Sequence, residues 1–166
     1  KVMNDKSLTD GVKFAMLRNI SSRFKYSCFV NIVEEMELNL YPESQRSVLF
    51  DLLSYANKIE LNRLVLTTHS PYVINYLTLA AKAFLLTQKI SANETLQERV
   101  KEVVPADSAI DPARLRIYEL KDGGVFRLST YEGLPSDENF LNIQLGVTNE
   151  LFDQLLEIEQ EFDYKN

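Results

Sequence analysis

The sequence predicts an α/β fold built on a parallel strand–helix–strand–helix unit, and three observations carry that prediction. Two short runs dense in aliphatic and β-branched residues, Ser27 to Val33 and Leu64 to Thr68, end abruptly in polar or acidic residues. Each is followed by a proline, Pro42 or Pro71, that opens a segment whose apolar residues recur at three and four. Alternation of strand and helix over about sixty residues is the pattern of a parallel sheet with crossover helices.

The elements follow in order. Val12, Phe14, Ala15, Leu17 and Arg18 suit a short helix with Thr9 or Asp10 as its N-cap. The run Ser27 to Val33 reads as a strand buried on both faces, interrupted by Asn31, which then needs a hydrogen-bond partner. From Pro42 to about Lys58 the positions Val48, Leu49, Leu52, Leu53, Ala56 and Ile59 mark a helix, with Glu43 in its first turn. Leu64 to Thr68 repeats the buried-strand composition. Pro71 then starts a second long helix with Tyr72, Val73, Tyr76, Leu77, Ala80 and Phe84 on one face.

The remainder has a different texture. Glu94 to Val104 is amphipathic and stopped by Pro105, and Asp107 to Pro112 reads as a loop. Arg114 to Leu120 and Val125 to Thr130 flank Lys121-Asp122-Gly123-Gly124, the signature of a tight β-hairpin. A loop around Gly133 and Pro135 leads to a final helix, Asn149 to Phe162, with Leu151, Phe152, Leu155, Leu156 and Ile158 on its apolar face and acids on the other. Cys28 and most of the eight Tyr and nine Phe are expected in the core. The expected organisation is a core unit over 1–90 and an extension over 91–166 packed on the same domain.

Composition narrows the function. At 45% hydrophobic and 25% charged over 166 residues, the chain has the make-up of one globular domain able to bury a core. Asp plus Glu number 24 against 18 Lys plus Arg, a net charge of 18 − 24 = −6, and the basic residues are scattered. Phosphate backbones need a basic stripe, so nucleic-acid binding is not indicated for this chain. The apolar stretch Val73 to Leu86 is cut by Asn75 and Lys82, which argues against a membrane span. One cysteine, Cys28, gives no internal disulfide, and with no secretory leader visible the expected compartment is the cytoplasm. None of the five glycines is followed by Lys, so the Gly-Lys-Ser or Gly-Lys-Thr end of a phosphate-cradling loop is missing. The chain opens on Lys1 rather than Met, and the expectation is a piece of something longer.

The sharpest chemical feature is Glu34-Glu35-Met36-Glu37, three carboxylates within four positions at a strand end. Ligands of open α/β sheets bind at the carboxyl ends of the strands, where these acids fall. Alone, such a triplet reads more plainly as solvated loop residues. The second strand also ends in polar groups, Thr67-Thr68-His69-Ser70. If the strands are parallel neighbours, His69 and the glutamates share one sheet edge, and a carboxylate that polarises water beside a His that contacts a phosphate oxygen suits phosphoryl transfer.

The segment from Phe29 through Val33, Glu34, Glu35, Met36, Glu37, Leu38, Asn39, Leu40, Tyr41 and Pro42 to Gln45 resembles the Walker B segment of ABC-class P-loop ATPases, in the branch shared with OLD-like and SMC-like proteins. Leu64 to Pro71 is similar to the switch segment of those proteins, where a strand runs into Thr-His-Ser-Pro. Both occur in the family's order, about 30 residues apart, as one strand–helix–strand unit requires. The resemblance covers Phe29 to Leu77 and implies an incomplete P-loop NTPase fold, the C-terminal part of an ATP-binding and ATP-hydrolysing domain whose Walker A lies upstream. It implies ATP and Mg²⁺, with Glu34 holding the metal shell, Glu35 polarising the attacking water and His69 contacting the γ-phosphate. Glu stands at position 34 where the family usually has Asp, which alters the reach to the metal by one methylene. Met36 and Tyr41 depart at turn positions where packing is at stake, and Glu37 organises the turn.

The resemblance further implies a head-to-head homodimer with a signature loop from one subunit on the other's nucleotide. The nearest candidate here is Ser7-Leu8-Thr9-Asp10-Gly11, whose Ser7, Thr9 and Gly11 would bind phosphate at a helix start, although Asp10 repels it and an N-cap explains the same residues. Two other readings stay open. Glu34, Glu35 and Glu37 with His69 suit a metal cluster of a nuclease or phosphatase, and a non-catalytic interaction domain would retain the motif without its chemistry.

Overall fold

Val30–Val33 (β1) and Arg63–Leu66 (β2) pair in parallel, in the register Val30 to Arg63 through Val33 to Leu66. Pro42–Asn57 (α2) makes the crossover between them, and Pro71–Lys89 (α3) leaves β2. The structure is a computed structural model describing residues 7–23 and 28–164, so the polar opening before Ser7 and the expected strand start at Ser27 lie outside the described residues. Both helices begin at a proline in the first turn, where its missing N–H costs nothing and its fixed φ suits the helix.

The core lies between these helices and one side of the strand pair. Leu49, Phe50 and Leu53 of α2 meet Val73, Leu77, Ala80 and Ala83 of α3, with Val33, Leu64 and Leu66 packed against them. The opposite side of the pair is open, with Val30 59% and Ile32 69% exposed and Val65 also exposed. This corrects the expectation of strands buried on both faces. β2 shows a period-2 alternation of exposed and half-buried residues because the helices cover one face alone. Asn31 is exposed and needs no buried partner. The aromatic residues are not mostly core: among the described residues Phe50 is the only buried one, and Cys28 is half-buried.

Asp10–Arg23 (α1) forms as expected, the Thr9 carbonyl accepting from Lys13 N–H at 3.0 Å. After α3, Glu94–Val103 (α4) is capped by Asn93, whose side chain accepts from Leu96 N–H. The loop expected over Asp107 to Pro112 is two short 3₁₀ turns, Ala106–Ser108 and Pro112–Arg114. The first wedges onto α2: Ser108 Oγ donates to the Phe50 carbonyl at 2.8 Å, and Asn57 Nδ2 donates to the Asp107 and Ala109 carbonyls at 2.7 and 2.9 Å. Val104 and Ile110 enter the same core.

Tyr118–Lys121 (β3) and Gly124–Arg127 (β4) form the expected antiparallel hairpin, turning through Asp122 and Gly123 at φ 50° and 73°. A second small hairpin, Thr130–Tyr131 (β5) with Leu134–Pro135 (β6), replaces the expected loop and turns the same way through Glu132 and Gly133. The last helix, Phe140–Asp163 (α5), starts nine residues before the expected Asn149, because Asn139 caps it by accepting from Asn142 N–H at 3.0 Å. Gly146 and the polar residues between Asn142 and Asn149 hide its periodicity in the sequence. Among the described residues no helix is long and apolar enough to cross a membrane.

Candidate functional site

Parallel pairing brings the carboxyl ends of β1 and β2 side by side and sets the loops that follow them in contact. Three cross-links join those loops. Glu35 N–H donates to both the Thr67 carbonyl, at 3.0 Å, and Thr67 Oγ1, at 3.1 Å. Glu37 Oε1 accepts from the backbone N–H of His69. Ser70 Oγ donates to Gln45 Oε1 at 2.6 Å between two buried side chains, and Gln45 Nε2 in turn donates to the Leu40 carbonyl at 2.9 Å.

The result is a pairing that spacing alone does not give. Glu35 Oε1 lies 3.6 Å from His69 Nε2, with the carboxylate side chain 43% and the imidazole 83% exposed. Both groups face water, so a substrate reaches them without displacing any part of the described structure. Glu35 has φ 45°, in the left-handed region that L-residues with a Cβ avoid at a cost of about 1–2 kcal/mol. Strain of this kind persists where surrounding bonds over-determine it, here the two acceptors on Thr67.

The other expected residues fall differently. Glu34 is exposed at the strand end, with no hydrogen-bond or ion-pair partner among the described residues. Glu37 is half-buried, and its Oε2 is a buried oxygen with no hydrogen-bond partner among them. Met36 is in the core, whereas Tyr41 is 83% exposed and packs little. Thr9 and Gly11 lie exposed at the first turn of α1, with Ser7 just before it. α1 has no extensive packing with any other described element, and the pair that the structure brings together is Glu35 and His69.

Among the described residues no group of three or more His, Cys, Asp or Glu side chains is arranged to hold a metal ion. The multi-carboxylate cluster therefore gains nothing from the geometry, since Glu37 turns into the protein to hold His69. Thr67, Gln45 and Ser70 stand within the motifs read from the sequence but carry no role in that reading. The hydroxyl residues that follow β2 and a Gln one turn into a Pro-initiated helix are the signals that mark them.

No curated protein and no solved structure matches the chain significantly. The model of one family, described as AAA domain, putative AbiEii toxin, Type IV TA system, matches residues 30–75. Those residues run from the start of β1 through α2 and β2 into the first turns of α3, so the match covers both loops of the site and relates this segment to nucleotide-binding domains of the P-loop ATPase kind.

Proposed function

We propose that the chain supplies the Walker B acids and the switch histidine of an ATP-hydrolysing domain, as the C-terminal part of an ABC-class ATPase of the OLD-like and SMC-like branch. The observation that carries this reading is the Glu35–His69 pair, held across the ends of two parallel strands by hydrogen bonds to Thr67 and from His69 N–H to Glu37. The family match over residues 30–75 supports its broader part, a nucleotide-binding domain of the P-loop ATPase kind, independently of that geometry.

The roles follow from position. Glu35 orients a water for in-line attack and takes up its proton, and His69 donates to a γ-phosphate oxygen. Glu34, exposed at the strand end with its carboxylate available, fits a single protein ligand to Mg²⁺, an ion that keeps most of its shell as water and phosphate oxygens. Bound there, Mg²⁺ neutralises charge on the phosphates. Thr67 and Glu37 act as positioning residues: they fix where Glu35 and His69 stand. The glycine-rich loop that cradles phosphates comes from outside these 166 residues, and the domain pairs head to head as a dimer. Ser7, Thr9 and Gly11 are proposed as that dimer's signature loop.

Glu35→Gln in the intact protein tests the assignment, because Gln keeps the size of the side chain and removes its basicity. ATP binding is expected to persist while turnover falls about 100-fold or more, the range of a lost general base. Retained turnover contradicts the role given to Glu35. The multi-metal reading makes the opposite forecast, Mn²⁺ binding by the isolated chain without nucleotide.

A further inference from the structure

The second half of α5 is exposed along its described length. From Thr148 to Phe162 every residue is exposed, whereas the start of the helix is tied to the body by Phe140 N–H donating to Glu119 and by Asn142 donating to Asn75. Leu151, Leu155 and Ile158 are spaced four and three apart, the spacing of a coiled-coil seam, with Phe152 and Leu156 beside it. All five are exposed, Leu155 by 63%, and together they leave on the order of 400 Å² of apolar surface in one stripe. Patches of that size on a soluble domain mark interaction sites. A single projecting helix of about 15 residues is also too short to be stable in water by propensity alone.

Charge selects the occupant. Between Asn149 and Phe162 the helix carries Glu150, Asp153, Glu157, Glu159 and Glu161 and no Lys or Arg. A second copy would lay five like charges along five like charges. An amphipathic helix with an apolar seam and basic flanks satisfies both the stripe and its acidic surroundings. We infer that the C-terminal half of α5 is a docking arm for a basic amphipathic helix of a partner protein, paired side by side along Leu151, Leu155 and Ile158. The area is below the ~800 Å² per partner of a standard stable interface, so the contact is reversible unless other surfaces join it. It is independent of the nucleotide site.

The test uses the full 166-residue chain and two synthetic helices. Both carry Leu at the seam positions, one with Lys and the other with Glu at the flanking positions. Fluorescence anisotropy is expected to show the Lys-flanked helix binding about tenfold or more tighter than the Glu-flanked one, with affinity falling as salt is raised. Leu155→Asp with Ile158→Asp should lower binding of the Lys-flanked helix by about tenfold or more. Those changes add negative charge, so a loss reports the seam rather than the electrostatics. If that variant fails to fold by circular dichroism, Leu155→Ser with Ile158→Ser makes the same measurement. Equal binding of both helices, binding of neither, or unchanged binding in the folded seam variant overturns the inference. So does a dimer of the wild-type chain in light scattering that the seam substitutions dissolve.

Discussion

Glu35 shows most clearly how single residues in this chain are set by their surroundings. Its left-handed backbone is the conformation glycine adopts freely, so Glu35→Gly is expected to leave the fold about 1 kcal/mol more stable than Glu35→Ala, read from urea midpoints at constant slope. Equal midpoints would show that the backbone relaxes out of this conformation. Glu37 acts on the neighbouring loop through its bond to His69 N–H. Glu37→Ala leaves that donor unanswered and should cost roughly 1–2 kcal/mol, whereas Glu37→Gln retains an acceptor oxygen and should cost less. In the intact protein Glu37→Ala is expected to lower turnover more than ATP binding, because it displaces His69 without touching nucleotide. Parallel losses in both would place Glu37 in contact with the ligand.

At the scale of elements, the helices and hairpin were legible because local chemistry marks their ends: Pro42 and Pro71 at helix starts, Asp122-Gly123 at a turn, Pro105 after α4. The burial of the strands was not legible. Valine and isoleucine are as compatible with a strand covered on one face as on two, and which face is covered depends on elements far away in sequence. The wedge of Ala106–Ser108 on α2 escaped the sequence for the same reason, since it rests on hydrogen bonds spanning some fifty residues. Asn57→Ala removes two of those bonds at the end of α2 and is expected to cost about 1–2 kcal/mol, with the slope of urea unfolding unchanged. A changed slope would mean that residues 104–110 detach before the core unfolds. α5 was recognised by its apolar face but taken nine residues too short, because Asn139 signals its start only once its side chain is seen on Asn142 N–H.

For the molecule as a whole, the parallel strand order converts two motifs 34 residues apart, Glu35 and His69, into one site. Glu35 and His69 themselves were readable, because a strand ending in acids and a strand ending in Thr-His-Ser-Pro are local patterns. Their supports were not, since Thr67 and Gln45 look like ordinary strand and helix residues until the register places them. Glu35 and His69 are proposed to act as one hydrolytic unit on a phosphate. A double-mutant cycle of ATP turnover in the intact protein, with Glu35→Gln, His69→Ala and both together, tests that claim most directly. If the two side chains serve one transition state, the double variant should be scarcely slower than the slower single variant, since residues acting as a unit are far from additive. Losses that simply multiply, or a double variant that still turns over ATP at the wild-type rate, would contradict it.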